Sequence, residues 1–90
     1  MYDVEYHDEV VTKDLPKIGA PWKLKIKLAI ESKLMTQPDL YGKPLRRSLK
    51  NYKKLRVGDY RVIFRIENNT VKIFVIQHRS VVYVNASKRI

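Results

Sequence analysis

Hydrophobic and polar residues alternate most regularly in residues 53–66, on both sides of the pair Gly58-Asp59. The alternation predicts two short strands joined by a two-residue turn. Gly58 suits the first position of a type II′ turn, because glycine takes a positive φ without a Cβ clash. Counting outward from the turn places Arg56 opposite Arg61. One face of this hairpin is apolar and carries Leu55, Val57, Tyr60, Val62, Phe64 and Ile66. The other, basic face carries Tyr52, Lys54, Arg56, Arg61 and Arg65.

A third strand is predicted to follow Asn68-Asn69, because asparagine tolerates the left-handed backbone of a type I′ turn better than most residues. The register that follows pairs Ile66 with Val71, Phe64 with Ile73, Val62 with Val75 and Arg61 with Ile76. The apolar face then gains Val71, Ile73 and Val75. The basic face gains Lys72 and His78, together with Phe74 and Ile76. A slip of one residue would move each of these side chains to the opposite face.

A short strand and two helices are predicted before the hairpin. Residues 1–6 alternate like a strand with one buried face, and residues 8–15 favour a short helix. Its candidate N-cap is Asp8, and its apolar stripe consists of Val10, Val11 and Leu15. The second helix is predicted from Pro21 to about Met35.

The second helix is ambiguous, because residues 22–28 alternate strictly with a period typical of a strand. A helix is favoured because the segment spans about 14 residues, is rich in Lys, Leu, Ala and Glu, and has few β-branched residues. If the segment is a helix, one of its two apolar sides consists of Trp22, Ile26, Ala29, Ile30 and Leu34. The other consists of Leu24, Leu28 and Met35. We expect the sheet to cover the first side and the first helix to cover the second.

Residues 36–50 contain prolines and a glycine and are predicted to form a linker that crosses to the sheet, with Leu45 and Leu49 packed beside it. After the third strand, Val82-Tyr83-Val84 is predicted to lead into a short C-terminal tail that ends in Lys88-Arg89-Ile90. The pattern therefore predicts one α+β domain over residues 1–90. Its mainly antiparallel sheet of about four strands packs on an N-terminal helical hairpin.

Composition limits the setting of the protein. The 90 residues are 44% hydrophobic and include no cysteine. The chain therefore has neither a disulfide framework nor thiolate chemistry, which suits a reducing cytoplasm. The polar N-terminus, and the lack of an apolar run of about 18 residues, predict neither a signal peptide nor a membrane span.

The net charge of +10 is concentrated in the second half of the chain. Residues 43–90 hold 13 Lys/Arg and 2 Asp/Glu, whereas residues 1–42 hold 6 and 7. This asymmetry indicates a polyanionic partner, either a nucleic acid or an acidic protein. Arg56 opposite Arg61 costs stability, since like charges directly across a ladder repel. The basic face is either a solvated surface or an anion-binding surface, and its many cations favour the second.

The basic half of the chain offers little to hold a metal. Its acidic residues are Asp59 and Glu67, both predicted at or beside turns, and no Cys/His spacing for zinc occurs. No P-loop or dinucleotide-binding motif is present. We therefore expect no metal and no cofactor, so catalysis on this face would use Lys, Arg, His and Tyr. These groups can support RNA cleavage in which the ribose 2′-OH attacks the adjacent phosphate.

Three residues are candidates for this chemistry. Lys54 lies between Lys53 and Arg56, a setting in which a lysine can act as a base. His78 is the natural group for proton transfer near neutral pH, or it is merely structural at a strand end. Tyr83 can stack on a nucleobase, or it is a core aromatic residue with a wet hydroxyl. Arginines are better suited to hold a phosphate than to donate a proton.

Two stretches carry a family resemblance. The first is Leu-Arg-Val-Gly-Asp-Tyr-Arg-Val-Ile at 55–63, preceded by Leu45 and residues 49–54, and the second is His-Arg-Ser-Val-Val-Tyr at 78–83. Together they resemble the RelE/ParE toxin superfamily, nearer to its RelE branch. The chain length, the helical hairpin and the three-strand meander fit as well, so the resemblance covers nearly the whole chain.

The resemblance implies a bacterial or archaeal toxin that cleaves mRNA in the ribosomal A site and is silenced by a cognate antitoxin, through an acidic or amphipathic segment. It implies that Lys54 acts as the base and that Arg61 binds the phosphate. It also implies that Arg79 lies near the arginine that protonates the leaving group, and that Tyr83 stacks on the substrate. Tyr52 stands where the family has a second lysine. His78 occurs in only some branches.

The expected site therefore has two parts, with ribosome and mRNA as partners and no membrane. The catalytic candidates are Lys54, Arg61, His78, Arg79 and Tyr83. The RNA-binding candidates are Arg47, Lys50, Tyr52, Lys53, Arg56 and Arg65. The alternative on the same scaffold is a ParE-like inhibitor of DNA gyrase, which needs no phosphate-binding face.

Overall fold

The computed structural model describes residues 1–89, apart from the side chain of Ser48. The strands are β1 (Asp3–Tyr6), β2 (Lys43–Pro44), β3 (Lys53–Val57), β4 (Tyr60–Glu67) and β5 (Thr70–His78). The α-helices are α1 (Ala20–Ala29), α2 (Pro38–Tyr41) and α3 (Val82–Arg89). Shorter helical segments are the π-helical Val10–Asp14 and Ile30–Leu34 and the 3₁₀ turns Leu15–Lys17 and Arg47–Leu49. Within this described part, no helix has the length and apolar character needed to cross a membrane.

The strands form one sheet in the order β1-β5-β4-β3-β2. All neighbours are antiparallel except β1 and β5. The predicted α+β fold is confirmed, with five strands in place of about four because the linker contributes β2. β3 and β4 pair in the predicted register, with Arg56 opposite Arg61.

The two hairpin turns differ in how well the sequence predicted them. Gly58 has a φ of 58° and Asp59 has no positive φ, as a type II′ turn requires. At the second turn Asn68 has a φ of 57°, but Asn69 has no positive φ. The second turn is therefore not the predicted type I′ turn, which needs a positive φ at both central residues.

Gly58→Ala should lower the free energy of unfolding by about 2–4 kcal/mol, since the left-handed backbone penalises a Cβ and the added methyl overpacks a filled space. A Cβ at Gly58 would overlap the ring of Trp22. Urea unfolding measures the change. The matched control is Gly19→Ala, where the nearest atom to a new Cβ is Pro21 Cδ at 3.9 Å. Equal losses in the two variants would contradict the prediction.

Strand β5 leaves its predicted register after the first few residues. A β-bulge at Phe74 adds one residue, so that Val62 faces Ile76 instead of Val75. Ile76 consequently packs in the core beneath the helices, whereas Val75 packs on the opposite face of the sheet. The prediction had these two residues the other way round.

Helix α1 covers the apolar face of the sheet, which confirms a helix where the alternation also suited a strand. Its buried side, continued in the π-helical segment, consists of Ile26, Ile30 and Leu34. The second apolar side is not covered as predicted, because Leu24 and Leu28 are 58% and 54% exposed. The first helical segment packs against β5 instead.

The first helical segment starts at residue 8, but Asp8 does not cap it as predicted. His7 Nδ1 accepts a hydrogen bond from the Glu9 N–H at 3.1 Å. The apolar stripe is narrower than predicted, because Val11 is 54% exposed. Val10 and Asp14 are the residues that the π-helical segment buries.

The basic face of the sheet is not fully open, because α3 and the turn Arg47–Leu49 pack against it. Val82 and Ala86 of α3 form a second core cluster with Ile63. The same cluster contains Leu49, Val75 and, at its margin, Leu45. The predicted C-terminal tail is therefore helical, and its last residue, Ile90, lies outside the described residues.

Asp14 and Arg89 form a buried ion pair that fastens the end of α3 to the edge of β5. Their side chains are 1% and 6% exposed, and Asp14 Oδ2 lies 2.9 Å from Arg89 Nη1. Asp14 also accepts hydrogen bonds from the Ile76 N–H and the Gln77 amide. Burial by itself would raise the pKa of Asp14, but the hydrogen bonds outweigh it and the pKa is lowered. These contacts close the part of the edge that β1 leaves unpaired.

Candidate functional site

An open hollow of about 450 Å³ lies on the basic face where β3, β4, the end of β5 and the start of α3 meet. Its lining consists of Lys54, Arg61, His78, Arg79, Ser80 and Tyr83. The structure thus brings all of the predicted catalytic candidates to one place, from three strand regions and a helix. We call this space the main hollow. Its lining contains no carboxylate, so the cations face any ligand that enters.

Arg61 is held by the hairpin turn that precedes it. Its Nη1 donates hydrogen bonds to the carbonyl oxygens of Gly58 and Tyr60, each at 2.8 Å. The residue is only 8% exposed, yet it lines the main hollow. Two backbone acceptors on one nitrogen fix the guanidinium in place, so that it is preorganised for an anion.

Lys54 and Tyr83 lie close together in the lining of the main hollow. Lys54 Nζ lies 5.6 Å from the centroid of the Tyr83 ring, within cation–π range. Tyr83 is half-buried at the margin of the second core cluster. Its ring thus has one part in the core and one part on the hollow, which combines both readings of this residue.

His78 reaches the main hollow from a position that the sequence pattern did not predict. The bulge places it opposite Tyr60 and places Gln77 opposite Arg61. Because the strand ends at His78, its exposed ring still lines the hollow. Its Nδ1 accepts a hydrogen bond from the Ser80 N–H at 3.2 Å. When the ring is neutral, its proton is therefore on Nε2, the nitrogen left for a ligand.

Arg79 is the more exposed of the two arginines in the main hollow, and it contacts the first hairpin turn. Its backbone N–H donates a hydrogen bond to the Asp59 carbonyl at 2.8 Å, and its Nε lies 3.7 Å from Asp59 Oδ1. Both side chains of this ion pair are more than half exposed, so the pair is weak and exchangeable. Asp59 therefore orients Arg79 without locking it.

A second, smaller hollow of about 130 Å³ adjoins the main hollow. It is lined by Tyr41, Lys43, Lys54, Arg56 and Arg61. Lys54 and Arg61 thus belong to both hollows. Sequence reasoning missed Tyr41, Lys43 and Ser80, since they lie in the linker and a turn, where alternation says nothing about position. Lys43 could have been found only by recognising β2, because the pairing of β2 with β3 places Lys43 opposite Lys54.

The other RNA-binding candidates do not reach either hollow. Tyr52 and Arg65 line a separate hollow of about 290 Å³ with Phe74, and Arg65 is paired with Glu67 at 2.9 Å. Lys53 points to the opposite side of the sheet from Lys54 and forms an ion pair with Asp39 at 3.2 Å. Arg47 and Lys50 are exposed at the 3₁₀ turn before β3.

A match to a protein family identifies the class of this chain. Residues 4–83 match the family described as the ParE toxin of type II toxin-antitoxin systems, parDE. The protein is therefore a toxin of the type II toxin–antitoxin class. The chain belongs to the ParE toxin family, within the RelE/ParE superfamily. This confirms the superfamily that the sequence resemblance indicated.

Solved structures support the same assignment. The RelBE2 toxin–antitoxin complex of Mycobacterium tuberculosis has 32% identity and a TM-score of 0.70, over 87% of this chain and 98% of that chain. The RelB–RelE complex of Methanococcus jannaschii has 24% identity and a TM-score of 0.68, over 89% and 95%. The Escherichia coli RelE double mutant bound to a RelB peptide has 19% identity and a TM-score of 0.66, over 99% and 97%. The last two show a common fold. A search of curated proteins found no match.

Proposed function

We propose that the protein is a ribosome-dependent endoribonuclease that cleaves mRNA by metal-free attack of a ribose 2′-OH on the adjacent phosphodiester. The observation that carries the proposal is the convergence of the catalytic candidates on one hollow without a carboxylate in its lining. Such a hollow supplies fixed cations, a histidine and an aromatic ring. These are the groups that this reaction needs when no metal takes part.

Arg61 and Lys54 hold the scissile phosphate. The guanidinium of Arg61 is already oriented by its bonds to the turn, so no reorganisation is needed when charge develops on the phosphate oxygens. Lys54 lies on the same side of the sheet and becomes a second cation once it has accepted the 2′-OH proton. A nucleobase of the substrate stacks on Tyr83, and this contact positions the phosphate beside Arg61 and Lys54.

We assign the proton transfers to Lys54 and His78. A base removes the 2′-OH proton as the new phosphorus–oxygen bond forms, and an acid protonates the 5′ oxygen as it leaves. We assign the first role to Lys54 and the second to His78, with Arg79 beside the leaving oxygen. Ser80 Oγ lies 2.8 Å from His78 Nδ1, so it can accept a hydrogen bond from Nδ1–H when the ring is doubly protonated.

A cognate antitoxin is the partner that keeps this site inactive. The structures similar to this chain include toxin–antitoxin complexes. An acidic or amphipathic segment would neutralise the cations of the main hollow, or would displace α3 and with it Tyr83. Either contact removes the surface that the mRNA needs.

Purified protein added to ribosomes carrying an mRNA should produce cuts within the translated codon. Attack by the 2′-OH leaves a 2′,3′-cyclic phosphate and a 5′-hydroxyl, so end analysis of the products identifies the mechanism. A 2′-deoxy substitution at the nucleotide that precedes the cut should stop cleavage. Lys54→Ala should lower the rate by about 100-fold or more, because the reaction loses both its base and a cation.

The matched control is Lys27→Ala, which removes an exposed lysine of α1, the helix that covers the opposite face of the sheet. Its rate should equal that of the wild type. Cleavage that persists on the 2′-deoxy mRNA, or products with a 5′-phosphate, would contradict the proposed chemistry.

A second candidate function is inhibition of DNA gyrase, and the match to the ParE family favours it. A gyrase inhibitor would arrest supercoiling and leave transcripts intact. Mapping of transcript 5′ ends in cells that express the protein, alongside a supercoiling assay, separates the two functions. New 5′ ends in translated codons support the nuclease.

A further inference from the structure

The two hollows share the pair of cations that the proposed function assigns to the scissile phosphate. Lys54 and Arg61 line the main hollow together with Tyr83. They also line the second hollow, together with Tyr41. Each hollow therefore combines the phosphate-binding pair with one tyrosine ring.

The cations around the second hollow are arranged at a cost to stability. Lys43 of β2 is directly opposite Lys54 of β3, and Arg56 is directly opposite Arg61. Like charges directly opposite each other are destabilising. Among the described residues, none of these four forms an ion pair with a carboxylate. A bound anion is what would relieve this repulsion.

Tyr41 gives the second hollow a stacking surface. The residue is 41% exposed, and Lys33 Nζ lies 5.5 Å from its ring centroid. An exposed ring set among unpaired cations is the arrangement by which proteins bind single-stranded nucleic acid, with bases on rings and phosphates on cations. The hollow of about 130 Å³ is too small for a peptide helix, whose diameter is about 10–12 Å.

We propose that the second hollow binds the nucleotide on the other side of the cleaved phosphate from the one that stacks on Tyr83. This inference rests on the proposed function. Tyr41 stacks on the base of that nucleotide, and Lys43 and Arg56 contact its outer phosphate. The substrate is then a single strand that crosses the sheet from α3 towards β2. Its scissile phosphate lies at Lys54 and Arg61.

The test measures binding to ribosomes that carry an mRNA made uncleavable by a 2′-deoxy substitution at the cut site. Three mRNAs are compared: the intact sequence, and sequences with an abasic residue on the 5′ or the 3′ side of the scissile phosphate. One abasic position should weaken binding of the wild type by about 5- to 100-fold, the usual range for a stacked base. The same position should have almost no effect on Tyr41→Ala. The other abasic position should weaken both proteins equally.

Tyr41→Phe keeps the ring and should therefore show the loss that the wild type shows at the same abasic position. Leu40→Ala, the neighbouring exposed position on α2, should also bind like the wild type. Lys43→Ala should reduce the slope of log K against log salt by about 1, whereas Lys27→Ala should leave the slope unchanged. Thermal unfolding should show that Tyr41→Ala is folded at the temperature of the binding assay.

The outcomes separate the inference from the proposed function. If the wild type cuts intact mRNA but Tyr41→Ala shows the same loss as the wild type at both abasic positions, the inference is wrong and the proposed function stands. If only Lys43→Ala changes the affinity, the hollow binds charge alone and stacking on Tyr41 is refuted. If the wild type neither cuts nor binds mRNA on ribosomes, both are wrong.

Discussion

Arg61→Ala should lower the rate of mRNA cleavage by about 100-fold or more, since removal of one preorganised donor to a developing oxyanion costs about 10²–10³ in rate. The guanidinium lies between the two hollows, where the scissile phosphate is proposed to bind. Arg61→Lys should recover part of the activity, because a point charge remains while the planar fork of donors is lost. Single-turnover cleavage of mRNA on ribosomes measures both variants.

The fold of these variants must be checked, because Arg61 also stabilises the hairpin turn. In the structure the side chain is nearly buried and donates to the carbonyl oxygens of Gly58 and Tyr60. Urea unfolding separates a loss of folded protein from a loss of rate. A folded Arg61→Ala that cuts at the wild-type rate would contradict the proposed role.

The register of the first hairpin was predictable from local chemistry, because Gly58 both permits the turn and fixes the residues that face each other. The third strand followed the same logic only up to Phe74. A bulge depends on how side chains pack on both faces of the folded sheet, and no residue type within residues 70–78 predicts it. This single extra residue reversed the predicted faces of Val75 and Ile76.

Helix α3 was missed for a related reason. The segment from residue 82 onwards is short and polar, and its buried residues are only Val82 and Ala86. Such a segment gains most of its helical stability from tertiary packing, which a local pattern does not reveal. The same limit explains Leu24 and Leu28, whose exposure depends on where the neighbouring helical segment packs.

The positions of the catalytic candidates were more predictable than the elements that bring them together. The prediction that Lys54 and Arg61 share one side of the sheet followed from alternation and a two-residue turn, and the structure agrees. The family resemblance singled out Arg79 and supported Tyr83, and alternation placed neither residue. Tyr41 and Lys43 come from a linker, and only the pairing of β2 with β3 brings them to Lys54.

Asp14→Ala should lower the free energy of unfolding by about 3–5 kcal/mol, because it leaves the buried guanidinium of Arg89 without its partner. The variant also removes the acceptor for the Ile76 N–H. The matched control is Asp39→Ala, which breaks a surface ion pair to Lys53 and should cost about 1 kcal/mol or less. Urea unfolding at neutral pH measures both variants. Similar losses would show that the Asp14–Arg89 pair contributes no more than a surface pair.

Acid should remove this contribution of Asp14. The pKa of Asp14 is lowered in the folded protein, so the unfolded chain binds more protons and stability rises with pH. The contribution is therefore present above the unfolded pKa of about 3.9, and it is lost as the pH falls through the lower folded value. Asp14→Asn, which lacks the titrating group, should unfold with a weaker dependence on pH between neutral solution and about pH 3. Parallel pH profiles for the wild type and Asp14→Asn would refute this account of how α3 is fastened to the sheet.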